Sequence, residues 1–141
     1  MKKSIDTKLA LYPTPVTIVG TMNGDKPTWT LVAHIGIIGH DRILVSLAEP
    51  HYINHLIREN GTPIIKAANL TPECSVDDIY KTPNFESFIC TIDNTYVEES
   101  CHNDKGKPDY TAVKPVLFEF PNYQYLRTGD VIGKCLSFKN K

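Results

Sequence analysis

Two histidines, His51 and His55, stand four residues apart in a segment with a helical pattern. That spacing would place both imidazoles on one face of a helix, as two metal ligands require. No glutamate follows His51 and no third ligand is evident, so the pair does not predict a metal site. Ordinary, partly exposed helical histidines are the simpler interpretation.

Cys101 and His102 have the residue types of a nucleophile and its base. Adjacent loop residues seldom point at each other, because catalytic pairs meet through the fold rather than the sequence, so this pair does not predict catalysis. Cys74, Cys90, Cys101 and Cys135 are too widely spaced for a Cys-x-x-Cys metal or redox motif. No export signal is visible, so we expect free thiols and a cytoplasmic protein.

Trp29 and His34 are the two side chains with the shape to contact a flat ligand. Trp29 could stack on such a ligand, but alternation along residues 27–33 also makes it a plain packing residue of a sheet. His34 lies in an apolar strand and could touch a ligand ring or be a hydrogen-bonded structural histidine. The sequence leaves both alternatives open at both positions.

Alternating β-branched runs predict the elements that position these residues. Residues 14–22 and 27–33, separated by Asn23-Gly24, predict a hairpin because this dipeptide accepts the positive φ angles of a tight turn. Residues 81–84 predict a turn, and residues 98–108 a surface loop. Further strands are predicted at residues 42–48, 73–80, 85–93 with an extension at 95–97, 116–120 and 123–126.

Residues 50–60 predict the one convincing helix. Ile53, Leu56 and Ile57 fall on one helical face. Pro50 suits a first helical turn, and Gly61 suits the left-handed residue that ends a helix. Several short strands with one helix predict a mainly β protein, an antiparallel barrel.

Length and charge limit what this barrel could be. The chain has 141 residues, which predicts a single domain over residues 1–141. Its 15 basic and 16 acidic side chains give a net charge of -1, so we expect no nucleic-acid partner. The apolar runs are too short for a membrane span.

Several short motifs occur in an order that resembles the flavin reductase-like family, the FMN-binding split barrels related to flavoredoxin. The motifs in the amino-terminal half are LYPTPVTIVGT at residues 11–21, Lys26-Pro27, Val45-Ser46-Leu47 and Asn54-His55-Leu56-Ile57. Those in the other half are ECSV at 73–76, GKPDY at 106–110, KPVL at 114–117, YQYLR at 123–127 and GDVIG at 129–133. The resemblance implies an antiparallel split β-barrel.

The chain departs from the family pattern at three places. Asn60-Gly61 runs almost directly into residues 62–66, so an internal block that commonly supplies a barrel strand is absent after Gly61. Thr28 stands where many relatives have Asn, and His34 where many have Trp. A missing strand would give the sheet an exposed edge, which favours pairing with another chain. We therefore expect a homodimer.

The resemblance implies FMN as cofactor and hydride transfer from NADH or NADPH through FMN to an acceptor. The phosphate needs converging donors, which the start of the helix offers, with His51, Tyr52 and Asn54 as side-chain donors. The ring needs an apolar slot, which residues 28–34 and the Ser46-Leu47-Ala48 edge would line. The expected cofactor-binding residues are therefore Thr28, Trp29, Thr30, His34, Ser46, Leu47, Ala48, His51, Tyr52, Asn54 and, from a partner subunit, Tyr123 and Tyr125. The alternative is a non-catalytic flavin-binding or dimerisation module.

Overall fold

The structure is a computed structural model that describes residues 2–135, and its strands form two antiparallel sheets. Within that range the strands are β1 (Thr14–Pro15), β2 (Thr17–Asn23), β3 (Lys26–Val32), β4 (Ile35–Ile37), β5 (Arg42–Ala48), β6 (Ile64–Lys66), β7 (Leu70–Thr82), β8 (Phe85–Val97), β9 (Leu117–Glu119) and β10 (Gln124–Leu126). The helices are α1 (Ile53–Asn60) and α2 (Tyr110–Val113), with a 3₁₀ turn at Glu99–Cys101. The prediction of a mainly β, antiparallel architecture with one principal helix is confirmed.

The first hairpin joins β2 to β3 through a two-residue turn. Asn23 still pairs with Lys26, which leaves Gly24 and Asp25 as the turn. Gly24 has a φ of 58°, the left-handed conformation that glycine adopts without steric cost. The predicted hairpin is confirmed, with its turn one residue later than the Asn-Gly dipeptide indicated.

Seven strands form the main sheet, in the order β3-β2-β6-β7-β8-β5-β4. The sheet curls into a half-barrel, so that β3 approaches β5 although the two are not neighbours in the sheet. β3 and β4 are therefore its edges. We call the space between β3 and β5 the split.

The core lies between the concave face of the sheet and α1. Helix α1 buries Ile53, Leu56 and Ile57, the three residues of the predicted apolar face. They pack with alternate residues of the strands, because alternate side chains point to the same face of a sheet. The buried cluster includes Val19, Val32, Val45, Leu47, Ile57, Ile65, Phe88 and Cys90.

Helix α1 begins at Ile53, three residues after Pro50, and ends where the sequence predicted. Gly61 has a φ of 68°, and its amide donates to the carbonyl of Ile57 at 2.9 Å. Only Thr62 and Pro63 then separate this cap from β6, which lies between β2 and β7. The short connection therefore creates no free edge at this point, contrary to expectation, because β6 has a strand on either side.

A small sheet, ordered β1-β9-β10, joins the two ends of the described chain. Its link to the main sheet includes a hydrogen bond from Thr14 Oγ1 to the carbonyl of Ala33 at 3.2 Å. The rings of Tyr12, Phe118 and Phe120 pack together beside it. No helix within residues 2–135 has the length and apolar character needed to cross a membrane.

Candidate functional site

The amino end of α1 carries backbone amides without an acceptor. The amide of His51 donates to the carbonyl of Ala48 at 3.0 Å, and that of Asn54 to the carbonyl of His51 at 3.1 Å. Among residues 2–135, the amides of Tyr52 and Ile53 have no such partner, and no side chain caps the helix. Free amides and the helix dipole together favour an anion at this end.

Three of the predicted phosphate donors lie at this helix start, but only two face solvent. His51 and Tyr52 are exposed. Asn54 is 2% exposed, and its Nδ2 donates to the carbonyl of Ala48 at 3.2 Å and to Oε2 of Glu86 at 3.1 Å. The amide group predicted to reach a phosphate is thus used inside the protein.

Glu86 forms a buried polar cluster beneath α1. The carboxylate is paired with Arg58 and with Lys81, whose Nζ lies 3.0 Å from Oε1. Burial acts to raise the pKa of Glu86, but the hydrogen bond from Lys81, the charge of Arg58 and the amide of Asn54 outweigh it, so the pKa lies below its ordinary value. Glu86 is therefore an anion at neutral pH.

The predicted ring-lining residues of β3 lie on opposite faces of the strand. Thr28 and Thr30 lie on the same face as buried Val32 and are half-buried. Trp29 points to the opposite, convex face, where its ring lies over Gly20: a Cβ there would fall 2.1 Å from Cε3 of Trp29. The Nζ of Lys66 lies 4.9 Å from the centre of the same ring. Trp29 therefore packs on the sheet, and its contact with a ligand stays a prediction.

A cavity of about 280 Å³ opens on this convex face beside Trp29. Its lining includes two carboxylates, Glu73 and Asp93, and the buried thiol of Cys74. Burial and the nearby Asp93 raise the pKa of Cys74 to about 11, so the thiol is protonated at neutral pH. Two carboxylates repel a phosphate dianion, so this cavity is not a phosphate site.

His34 and Ser46 lie opposite each other directly beyond the paired residues Ile35 and Val45 of β4 and β5. The amide of Ser46 donates to the carbonyl of His34 at 2.9 Å. The imidazole packs between Phe85 and Phe120, with ring centroids 5.5 and 5.3 Å away. Burial lowers the pKa of His34, which favours a neutral ring.

The remaining predicted residues of β5 differ in orientation. Ser46 and Ser87 share a hydrogen bond of 2.6 Å between their hydroxyls. Leu47 is buried in the core, so only its backbone could face a ligand. Ala48 is half-buried, and its carbonyl accepts from α1 as described above.

Tyr125 lies on β10 of the small sheet and Tyr123 in the turn before it, and both are exposed. Tyr123 packs against Phe120 with centroids 4.9 Å apart, and Tyr125 against Phe118 with centroids 5.6 Å apart. Phe120 also contacts His34, so these rings are continuous with the β5 region. Their outer faces are open to solvent.

The sequence motifs judged structural have ordinary surroundings. The ring of His55 packs on Tyr52 with centroids 4.7 Å apart. Cys101 is buried and accepts a hydrogen bond from Nδ2 of Asn69 at 3.2 Å, whereas His102 is exposed. Within residues 2–135, no three His, Cys, Asp or Glu side chains are grouped to hold a metal ion.

Comparison with known proteins identifies the fold. A scan against protein-family models and a search of curated proteins both found no match. Among solved structures, flavoredoxin of Desulfovibrio vulgaris (Miyazaki F) matches with a TM-score of 0.90 and 24% identity, over 97% of this chain and 98% of that one. The chain has the split-barrel fold of flavoredoxin.

Two further structures share this fold. Flavoredoxin from Methanosarcina acetivorans has a TM-score of 0.88 and 21% identity, over 97% of this chain and 96% of that one. The FMN-binding protein from Thermus thermophilus has a TM-score of 0.76 and 11% identity, over 95% of this chain and 97% of that one. The split barrel expected from the sequence resemblance is confirmed as a fold.

Sequence reasoning missed Glu86, whose buried carboxylate binds Asn54 and Arg58 of α1. The sequence does contain a signal for Glu86. Alternate residues of a strand share a face, and Glu86 alternates with the core residues Phe88 and Cys90 in β8. A carboxylate at an inward-facing strand position needs partners, and Arg58 and Lys81 supply them.

Proposed function

We propose that the chain is an FMN-binding oxidoreductase that uses NADH or NADPH as its electron source and works as a cytoplasmic homodimer. The free amides of Tyr52 and Ile53 at the start of α1 carry this proposal. They supply what the phosphate of FMN requires, converging N–H donors at the positive end of a helix. The flavoredoxin-like fold, with an FMN-binding protein among its structural neighbours, supports the same cofactor.

The residues around the split fit the other parts of FMN. Thr28 and Thr30 offer hydroxyls on the concave face of an edge strand. Ser46 and His34 lie together beyond the β4–β5 ladder, with Phe85 supplying an apolar wall. Nδ2 of Asn54 is used internally, but its Oδ1 is buried without a donor among the described residues. A ribityl hydroxyl or a bound water would satisfy that acceptor.

When bound, FMN supplies the redox chemistry, since it accepts a hydride from a reduced nicotinamide and passes electrons to an acceptor. The chain's own residues bind and orient. The α1 amides hold the anionic end, and the threonine hydroxyls of β3 position the opposite end by hydrogen bonding. A neutral His34 between two phenylalanines keeps water and positive charge away from the ring site.

The homodimer assigns a role to Tyr123 and Tyr125. Tyr123, in the turn before β10, and Tyr125, on β10, present open ring faces, and we propose that they cover the flavin of the partner subunit. Aromatic faces stack well on an isoalloxazine, and they exclude water from it.

The test is an FMN titration of the purified protein, followed by absorbance and by flavin fluorescence. We expect stoichiometric binding and oxidation of NADH or NADPH faster than with free FMN. No change in either flavin signal would overturn the proposal. Flavin binding without nicotinamide oxidation above the free-FMN rate would favour the alternative, a non-catalytic flavin-binding module.

Two substitutions of Tyr52 separate the contribution of its backbone amide from that of its side chain. Tyr52 has a φ of -53°, which proline also adopts, so Tyr52→Pro removes an amide that has no partner in the fold. Tyr52→Ala removes the side chain but keeps the amide. We expect Tyr52→Pro to bind FMN about tenfold more weakly than Tyr52→Ala, the loss of one charge-assisted hydrogen bond. Equal affinities would show that the phosphate does not use this amide.

A further inference from the structure

The Glu86 carboxylate ties together the elements that meet at the start of α1. Glu86 lies on β8 opposite Leu47 of β5 and is 3% exposed. Its donors come from two other elements: Arg58 and Asn54 from α1, and Lys81 from β7. One side chain thus connects the helix to two strands of the sheet.

Asn54 extends this connection to the end of β5. Its NH₂ group has two hydrogens, and they go to the carbonyl of Ala48 and to Glu86. Both neighbours are acceptors, which fixes the orientation of the amide. The Ala48 carbonyl also accepts from the amide of His51. The side chain of Asn54, in the first turn of α1, therefore ties the helix to Ala48, the residue before the connecting loop.

The free amides of Tyr52 and Ile53 lie in the chain between Ala48 and Asn54. Their direction depends on the backbone of residues 49–53, which no side-chain cap fixes from the solvent side. An apolar side chain in place of Glu86 could pack beneath the helix, but it could not receive Asn54 and Arg58 in one defined arrangement. The carboxylate therefore contributes to the direction of the helix start, beside the hydrogen bond from the amide of Glu49 to the carbonyl of Asn84.

We propose that Glu86 is a positioning residue that aims the start of α1 and so makes the site select FMN over its phosphate-free form, riboflavin. The inference rests on the proposed function, because it assumes that the phosphate binds at this helix end. Glu86 itself makes no contact with the ligand. It acts through Asn54 and the Ala48 carbonyl.

The proposal predicts a change in FMN affinity opposite to the change that electrostatic attraction alone would produce. Glu86→Gln removes a negative charge close to the phosphate end and leaves Arg58 and Lys81 unbalanced. Through-space attraction alone would then bind the FMN dianion more tightly. Loss of positioning predicts weaker FMN binding and leaves riboflavin, which has no phosphate, almost unaffected.

The experiment measures dissociation constants of FMN and riboflavin for wild type and Glu86→Gln by flavin fluorescence. We expect the preference for FMN to fall about tenfold in Glu86→Gln, the effect of one misaligned charge-assisted hydrogen bond. Glu86→Asp keeps the charge and should recover part of the preference. Hydrogen exchange of the His51 and Asn54 amides, which are hydrogen-bonded at the start of α1, should be faster in the flavin-free Glu86→Gln protein, because the helix start is less firmly held.

Glu73→Gln is the matched control, since it removes one carboxylate charge on the convex face of the sheet. It should keep the wild-type preference for FMN. An unchanged preference in Glu86→Gln, a tighter FMN complex, or an equal loss for both flavins would overturn the inference. If Glu86→Gln does not fold, Arg58→Gln, which removes only one partner of Glu86, is judged by the same criteria. Failure of wild type to bind FMN would instead refute the proposed function on which the inference rests.

Discussion

His34 links stability to pH at the scale of a single residue. Burial between Phe85 and Phe120 lowers its pKa from the ordinary 6.5, so the folded protein binds fewer protons at this imidazole than the unfolded chain does. Stability therefore rises with pH between the lowered pKa and 6.5, and levels off above 6.5. Acid should weaken the fold across that interval.

The prediction is that His34→Phe, which keeps an aromatic ring but cannot titrate, has a smaller slope of unfolding free energy against pH. Urea denaturation at several pH values from about 5 to about 7.5 measures that slope. His40→Gln is the control, since that side chain lies in solvent. If His34→Phe keeps the slope of wild type, burial of this imidazole does not contribute to the acid response.

The orientation of individual side chains at the candidate site is what the sequence predicted least well. Alternation along β3 puts Trp29 on the opposite face from Thr28 and Thr30, yet all three were predicted as ring contacts. Asn54 was predicted to face a phosphate, although it directly follows Ile53 on the buried side of α1. The deciding partner, Glu86, is 32 residues away in sequence. Spacing within one segment does not predict such a contact.

At the scale of the elements, the end of α1 offers a clean test of backbone conformation. Gly61 has a φ of 68°, and a Cβ added there would meet no atom within 4 Å. Gly61→Ala should therefore destabilise the protein by about 1 kcal/mol through the left-handed backbone alone. Urea denaturation measures the difference.

Gly129→Ala is the matched control, because Gly129 also has open space around it and does not have a positive φ. It should leave stability within about 0.5 kcal/mol of wild type. A Gly61→Ala variant as stable as this control would mean that the helix end relaxes to another conformation at no cost.

The elements that the sequence predicted well are those with their own local signals. Residues 42–48 form β5 as expected, α1 ends at its glycine, and the turn of the β7–β8 hairpin falls within residues 81–84. The missed elements, β4, β6 and α2, have three or four residues each. Segments that short owe their conformation to neighbouring strands rather than to their own pattern. β7 also extends beyond its predicted bounds on both sides, because it pairs with β8 along its length.

At the scale of the whole molecule, the two faces of the main sheet serve different purposes. The concave face holds the core, α1 and the proposed flavin residues. The convex face of β2 and β3 exposes apolar side chains, which include Ile18, Met22, Trp29 and Leu31. Contiguous exposed apolar surface of this kind favours contact with another protein surface. This face, rather than an edge left by a missing strand, supports the expectation of a homodimer.

Leu31 provides the test of that expectation, because it is 55% exposed and lies on edge strand β3. We expect light scattering to give the mass of a dimer for the wild-type protein. Leu31→Glu places a charge on the apolar convex face, which should shift the mass toward that of the monomer as the protein is diluted. Tyr110→Glu, an equally exposed apolar position on α2, should leave the dimer intact. A monomer mass for wild type at every concentration would contradict the homodimer, and with it the contribution of Tyr123 and Tyr125 to a partner's flavin site.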